Sequence, residues 1–294
     1  MISTQPHLVS GFTIVRNAEK LGYPFKESVR SVLPLCDEFW IGCGDSEDAT
    51  LEFCHTLVAE SGGKVKVFET TWTRENQSGG FQLKKQTDEV LRRCAGKWCL
   101  YIQADELMHE ADFDSIRAAM EVATPRADID GLLFDYLHFY GNYDYEIRGR
   151  NWYRREVRLF KNGRGISAYR DAQGFRGPEE RKLRVLPSGG RVFHYGYVRT
   201  PKSLGVKSGQ MAQWWGNPGT AQGEVPIRRH VGLKRYQSSH PAVMKNRIAT
   251  QTDLVDPMRQ SRHWDWTEVK NAITLAWESI VPVRIGEFRN YELP

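Results

Sequence analysis

The chain has 294 residues, 40% apolar and 26% charged, a globular balance with no run of about 18 apolar residues to span a bilayer. Its 41 basic residues face 36 acidic ones, so the net charge of +5 attracts polyanions only modestly. Cys36, Cys43, Cys54, Cys94 and Cys99 are an odd set without a CxxC pair, which excludes a disulfide framework or cysteine zinc site and predicts small buried hydrophobes.

Residues 8–15 read as an apolar, β-branched strand, and 27–35 as a helix through Val29, Val32 and Leu33. A second strand spans 38–43, a helix 49–61, a third strand 64–69 and a helix 82–94. The fourth strand, 97–103, holds the run Trp98 to Ile102 and predicts burial on both faces, as in a central parallel sheet. Parallel sheets place ligand sites at the carboxyl ends of their strands, which selects residues 14–17, 43–48 and 103–106. A helix over 112–122 and a strand over 131–140 follow, after which the periodicity weakens. Short strands are expected at 156–160 and 192–195, weak helical signals over 201–260, and a final helix over 266–279. That helix carries Val269, Ile273, Leu275, Ala276 and Ile280 on a broad apolar face.

Asp105 and Glu106 stand at the end of the fourth strand. A carboxylate there can hold a hard divalent cation, which would neutralise the charge growing on a departing diphosphate. The bland alternative is a pair of acids opening a helix. The order of features resembles the family 2 glycosyltransferases, in which a first strand ends in Asn, a second in a DGS-type loop and a fourth in a DxD or DADE motif. The matching segments are Thr13 to Asn17, Ser28 to Leu33, Gly44 to Thr50 and Gln103 to Glu106, over about residues 9–110.

That resemblance implies a GT-A, Rossmann-like fold: an α/β domain with a mostly parallel central sheet flanked by helices. The domain would span 1–200, with a donor half over about 8–112 and an acceptor half over 113–200, and an irregular helical extension over 201–294. It implies a nucleotide-diphosphate sugar donor, a carbohydrate or lipid-linked acceptor, and Mg²⁺ or Mn²⁺. Ile14, Arg16 and Asn17 would lie at the nucleotide, Asp45 or Asp48 would meet base or ribose, Lys85 the phosphate, and Asp105 the metal. His194 is the second candidate ligand, since GT-A enzymes often supply a late histidine; a packed core histidine is the alternative. Two positions depart from the family: Gly44 replaces the usual Asp of the second loop. Gln103 replaces the first acid of DxD and hydrogen-bonds without bringing charge.

Inverting transfer needs a base, for which Asp171 is the candidate and Glu156 and Glu179 are rivals. Asp171 could instead be a turn carboxylate paired with Arg170 or Arg176. Tyr140, Tyr143, Tyr145, Trp152 and Tyr153 could line the acceptor side. Together with the arginines at 148, 150, 154, 155 and 158 they would also suit single-stranded nucleic acid, although no nucleic-acid signature is present. A non-catalytic GT-A binding protein is a further alternative. Trp214, Trp215, Trp264 and Trp266 beside basic residues raise peripheral membrane contact. Without a secretion pattern at the N-terminus, the expected location is cytoplasmic, with the inner membrane face as its variant.

Overall fold

The computed structural model describes residues 8–73, 78–214, 223–281 and 289–294, apart from the side chains of Ser78, Gln213 and Trp214. The expected Trp214 and Trp215 contacts therefore lie outside the described residues. The first half alternates strand and helix: β1 (Val9–Val15), α1 (Phe25–Val32), β2 (Glu38–Gly44), α2 (Thr50–Glu60), β3 (Val65–Thr70), α3 (Phe81–Leu91) and β4 (Trp98–Tyr101). Then come β5 (Glu106–Met108), α4 (Phe113–Ala123), β6 (Gly131–Tyr140), β7 (Tyr145–Ile147), β8 (Arg155–Lys161), β9 (Ser167–Tyr169), β10 (Gly174–Arg176) and β11 (Leu183–Tyr197). The rest is α5 (Pro201–Trp214), β12 (Leu233–Arg235), α6 (Lys245–Thr250), α7 (Trp266–Ile280) and β13 (Tyr291–Glu292).

The sheet runs β3, β2, β1, β4 in parallel, followed by β8 antiparallel and then β6. It is the mostly parallel, helix-flanked sheet that was expected. Because the parallel strands are covered on both faces, β1 and β4 are apolar almost throughout and almost wholly buried. Phe12 of β1 is fully buried among the rings of Tyr101, Phe160 and Phe175, at centroid distances of 5.1, 6.2 and 6.2 Å. The five cysteines are buried free thiols, as their spacing suggested. Among the described residues no helix is long and apolar enough to cross a membrane.

The acids after β4 do not open a helix. The chain kinks through 102–105 and resumes as β5, which leaves the β4–β8 ladder and pairs antiparallel with β11. The expected short strand at 192–195 is the end of the fifteen-residue β11, which follows β6 in parallel from Val185 opposite Gly131 to Tyr197 opposite Tyr140. Register shifts after Pro187 and after His194 break its period-two alternation, which hid its length in the sequence.

A buried ion pair fixes the kink. Glu106 and Arg158 are wholly buried, and the Arg158 guanidinium donates to both carboxylate oxygens, Nη2 to Oε1 at 2.8 Å and Nε to Oε2 at 2.9 Å. Glu106 also accepts from the Gln103 amide at 3.1 Å and from the Tyr136 hydroxyl at 2.8 Å. Arg158 donates onward to the Gln173 carbonyl at 2.8 Å. Removing one member strands the other charge in a dry interior. Glu106→Ala or Arg158→Ala should each lower unfolding stability by about 3–5 kcal/mol in urea titrations, whereas Glu106→Leu combined with Arg158→Met should recover much of that loss.

Glu156, also on β8, is buried and receives a 3.5 Å contact from Asn290 Nδ2. Burial pushes its carboxyl up from 4.5 to about 7, against the opposing pull of Arg158 and the Asn290 amide. The unfolded chain releases this proton near 4.5 and the folded chain holds it to about 7. Its contribution is therefore fully present below the lower value and is lost as pH rises to the upper one, by about 3 kcal/mol. Glu156→Gln should flatten that decline in denaturation midpoints; an unchanged decline would assign it to another group.

Candidate active site

The carboxyl ends of β1 and β4 open into a cavity of about 390 Å³. Of the residues expected at the site, Ile14, Arg16, Gln103, Asp105, Asp171 and His194 all line it. The kink after β4 turns Asp105 toward the cavity, and the β11 register brings His194 beside Glu106 of β5 and His138 of β6.

Asp105, His194 and Lys207 form the polar centre. Lys207 Nζ donates to Asp105 Oδ2 at 2.8 Å and to the Gly196 carbonyl at 3.0 Å, and His194 Nε2 lies 3.7 Å from the same carboxylate oxygen. A Cβ on Gly196 would come within 2.6 Å of His194 Nε2 and 2.7 Å of both Asp105 Oδ2 and Lys207 Nζ, so only glycine lets this backbone close on all three. Burial works against the Asp105 anion, but the Lys207 ammonium, which also donates to it, outweighs burial and holds the carboxyl well below its usual range. Burial lowers Lys207 below the usual lysine value, with Asp105 opposing.

The histidine protons follow from their partners. The Tyr153 carbonyl can only accept, so the 2.6 Å contact requires the proton on His138 Nε2. Burial pushes His138 down to about 4 and His194 well below the ordinary histidine value, so both are neutral at pH 7. His138 Nδ1 then accepts from His194 Nδ1 at 2.9 Å, which leaves the His194 Nε2 lone pair on the Asp105 side.

Does this set fit the expected Mg²⁺ or Mn²⁺? It does not as it is arranged. Such a dication takes one or two protein ligands with diphosphate and water oxygens, and the protein would bring Asp105 and the His194 Nε2 lone pair. Among the described residues no group of three or more His, Cys, Asp and Glu side chains gathers for one. The Asp105 oxygen nearest His194 already carries the Lys207 ammonium, whose positive charge opposes a second cation.

Asp171 sits in the turn between β9 and β10, flanked by Arg170 and Ala172 at φ 53° and 62°. Left-handed backbone at such residues costs about 1 kcal/mol each and needs support from its surroundings. Gln103 Nε2 supplies part of it by donating to the Ala172 carbonyl at 3.3 Å. Among the described residues Asp171 forms no ion pair with Arg170 or Arg176; Arg176 is turned to the Asn290 carbonyl. Burial raises the Asp171 carboxyl above its usual value, which suits proton acceptance. The rivals lie elsewhere: Glu156 is enclosed in the core and Glu179 is exposed outside the cavity.

The other expected residues also lie outside it. Asn17 is buried and uses its Oδ1 to accept from the Glu47 amide at 2.8 Å. Asp48 accepts from Thr50 and from the Lys20 amide, tying two loops together. Lys85 is exposed on α3, while its neighbour Lys84 donates to the Ala168 carbonyl at 2.6 Å. Asp45 braces two lining residues, with Oδ1 3.2 Å from both Arg16 Nε and the Trp72 amide. The Trp72 indole lies where a side chain at Gly44 would go, since a Cβ there would be 2.5 Å from its Nε1. Of the aromatic residues expected on the acceptor side, Trp152 and Tyr153 line the cavity, whereas Tyr140 and Tyr143 pack into separate apolar clusters and Tyr145 sits on the β7–β12 ladder.

Sequence reading missed His138, Trp72 and Lys207. His138 takes its meaning from its register opposite His194. For Lys207 a signal existed: Leu204, Lys207, Ser208 and Met211 fall at helical spacing, and all line the cavity from α5.

No protein-family model matches the chain, and no curated protein matches it. Solved structures give partial likenesses. Residues 1–349 of TarS from S. aureus, in complex with UDP, are 18% identical over 46% of this chain and 37% of that one, with a TM-score of 0.36. A longer TarS structure is 13% identical over 70% and 39%, with a TM-score of 0.41. Glucosyl-3-phosphoglycerate synthase from Mycobacterium tuberculosis, in complex with Mn²⁺, UDP and glucosyl-3-phosphoglycerate, is 18% identical over 46% and 45%, with a TM-score of 0.29. The chain spans less than half the length of each. Similarity at this level assigns no activity.

Proposed function

We propose that the protein is a glycosyltransferase that moves a sugar from a nucleotide-diphosphate donor to a hydroxyl of a carbohydrate or lipid-linked acceptor, with inversion. The observation that carries this reading is the gathering of Ile14, Arg16, Gln103, Asp105, Asp171 and His194 around one cavity at the carboxyl ends of β1 and β4. Ile14, Arg16 and the Trp72 indole form the wall for the nucleotide, and Trp152 and Tyr153 offer rings to a sugar face. The acceptor oxygen attacks the anomeric carbon while the Asp171 carboxylate takes its proton. The bond from that carbon to the diphosphate breaks, and its electron pair stays on the diphosphate oxygen.

Lys207 is the cation for that leaving charge. Asp105 and the Gly196 carbonyl hold its ammonium in the cavity, where a preorganised charge acts with little reorganisation. Gln103 serves by supporting the turn that presents Asp171. A polyanion-binding role has less support, because Arg148, Arg154, Arg155 and Arg158 are paired with Glu146, Glu278, Asp135 and Glu106.

Uridine or guanosine diphosphate should raise the melting temperature, and Lys207→Met should shrink the shift. Stabilisation by no nucleotide would sink the reading. With a donor identified, Asp171→Asn should lower kcat by about 10²–10⁴ while leaving the thermal shift in place. Lys207→Met should lower kcat by about 10²–10³. Chelation by EDTA should leave wild-type transfer unchanged; its loss, with recovery on adding Mn²⁺, would return the leaving-group role to a metal.

A further inference from the structure

Helix α7 is built inside out. Its inward face is polar: Glu268 accepts from His230 Nδ1 at 2.9 Å and from the Val231 amide at 2.7 Å, Asn271 Oδ1 accepts from the Arg150 amide at 3.1 Å, Thr274 is buried, and Glu278 pairs with Arg154. Its outward face is apolar. Trp266, Ile273, Trp277 and Ile280 are 78, 65, 47 and 82% exposed. Their spacing of seven, four and three residues puts them in one stripe about 60° wide at roughly 100° per residue. Trp264, just before the helix, is 55% exposed and lies under Arg262 at 5.2 Å. Single exposed apolar residues are ordinary; an aligned stripe of two Trp and two Ile marks an interaction surface.

Charge selects the occupant. Lys270 borders the stripe and is exposed, and Arg262 and His263 precede it, also exposed. Of the nearby acids, Glu268 is buried and Glu278 is held by Arg154, which leaves Asp265, exposed where it caps the helix by accepting from the Glu268 amide at 2.9 Å, against the cations Arg262 and Lys270. A second copy laid on this face would bring like charges together. Tryptophans beside cations instead match the boundary between acyl chains and anionic headgroups.

We propose that the outward face of α7 docks on an anionic phospholipid bilayer, burying Trp266, Ile273, Trp277 and Ile280 at the acyl boundary while Arg262 and Lys270 meet headgroup phosphates. The surface is independent of the transferase reading, and either can fail alone. The test uses the full chain with phosphatidylcholine vesicles with and without phosphatidylglycerol, followed by sedimentation and tryptophan emission. Binding should require phosphatidylglycerol, weaken as salt rises, and shift emission to the blue. Trp266→Gln with Trp277→Gln should weaken partitioning by about tenfold or more, and Arg262→Glu with Lys270→Glu should weaken it as well. All four side chains are exposed, so both double variants should keep the wild-type melting temperature, which separates lost binding from unfolding. Failure to sediment at low salt, equal binding without phosphatidylglycerol, or binding unchanged in the tryptophan variant would overturn the proposal. So would a dimer in light scattering that the tryptophan variant dissolves without any vesicle binding, which would give the face to a second copy.

Discussion

The buried pair of Glu106 and Arg158 is the constraint on which the site depends. Two ions out of water are tolerable only when every lone pair and proton finds a partner, and here the backbone at Gln103 and Gln173 and the Tyr136 hydroxyl supply them. The geometric consequence matters more than the energy. With Glu106 anchored inward, β4 cannot continue straight along β8, and the chain bends so that Asp105 faces the cavity. The same guanidinium holds the Gln173 carbonyl two residues from Asp171, so one pair sets both the acidic centre and the candidate base.

Around that kink the site is assembled from elements far apart in the chain. Asp105 comes from the end of β4, His194 from β11, His138 from β6 and Lys207 from α5. Burial keeps both imidazoles neutral, and the Tyr153 carbonyl fixes which nitrogen of each carries the proton. The ammonium of Lys207 and the carboxylate of Asp105 neutralise each other at 2.8 Å, which permits both charges to lie largely out of water.

The polar face of α7 closes over the β7–β8 connection through Asn271 and Glu278, next to the residues that give the cavity Trp152 and Tyr153. Helix and cavity wall are thus mechanically joined. The outward stripe and the candidate cavity belong to one packed body.

The local pattern of residues determined the α/β alternation, the burial of β1 and β4, and the strand ends that frame the cavity, because side-chain period and apolar run length are properties of neighbours in sequence. Ile14, Arg16, Gln103, Asp105, Asp171 and His194 were legible for that reason, standing at strand ends or in turns within a recognisable order. Whether a side chain then faces the cavity is a matter of register and partner. Asn17 and Asp48 turned their oxygens to nearby backbone amides, and Lys85 fell on the outer face of its helix. His138 became part of the site only by pairing opposite His194, and Lys207 only when α5 packed across the strand ends. Helix α7 is the sharpest case. Its period announced an amphipathic helix, but which face is buried was decided by Arg154, His230 and the Arg150 backbone, whose partners lie on the polar side. A sequence records periodicity; only the packed chain decides which side of it meets water.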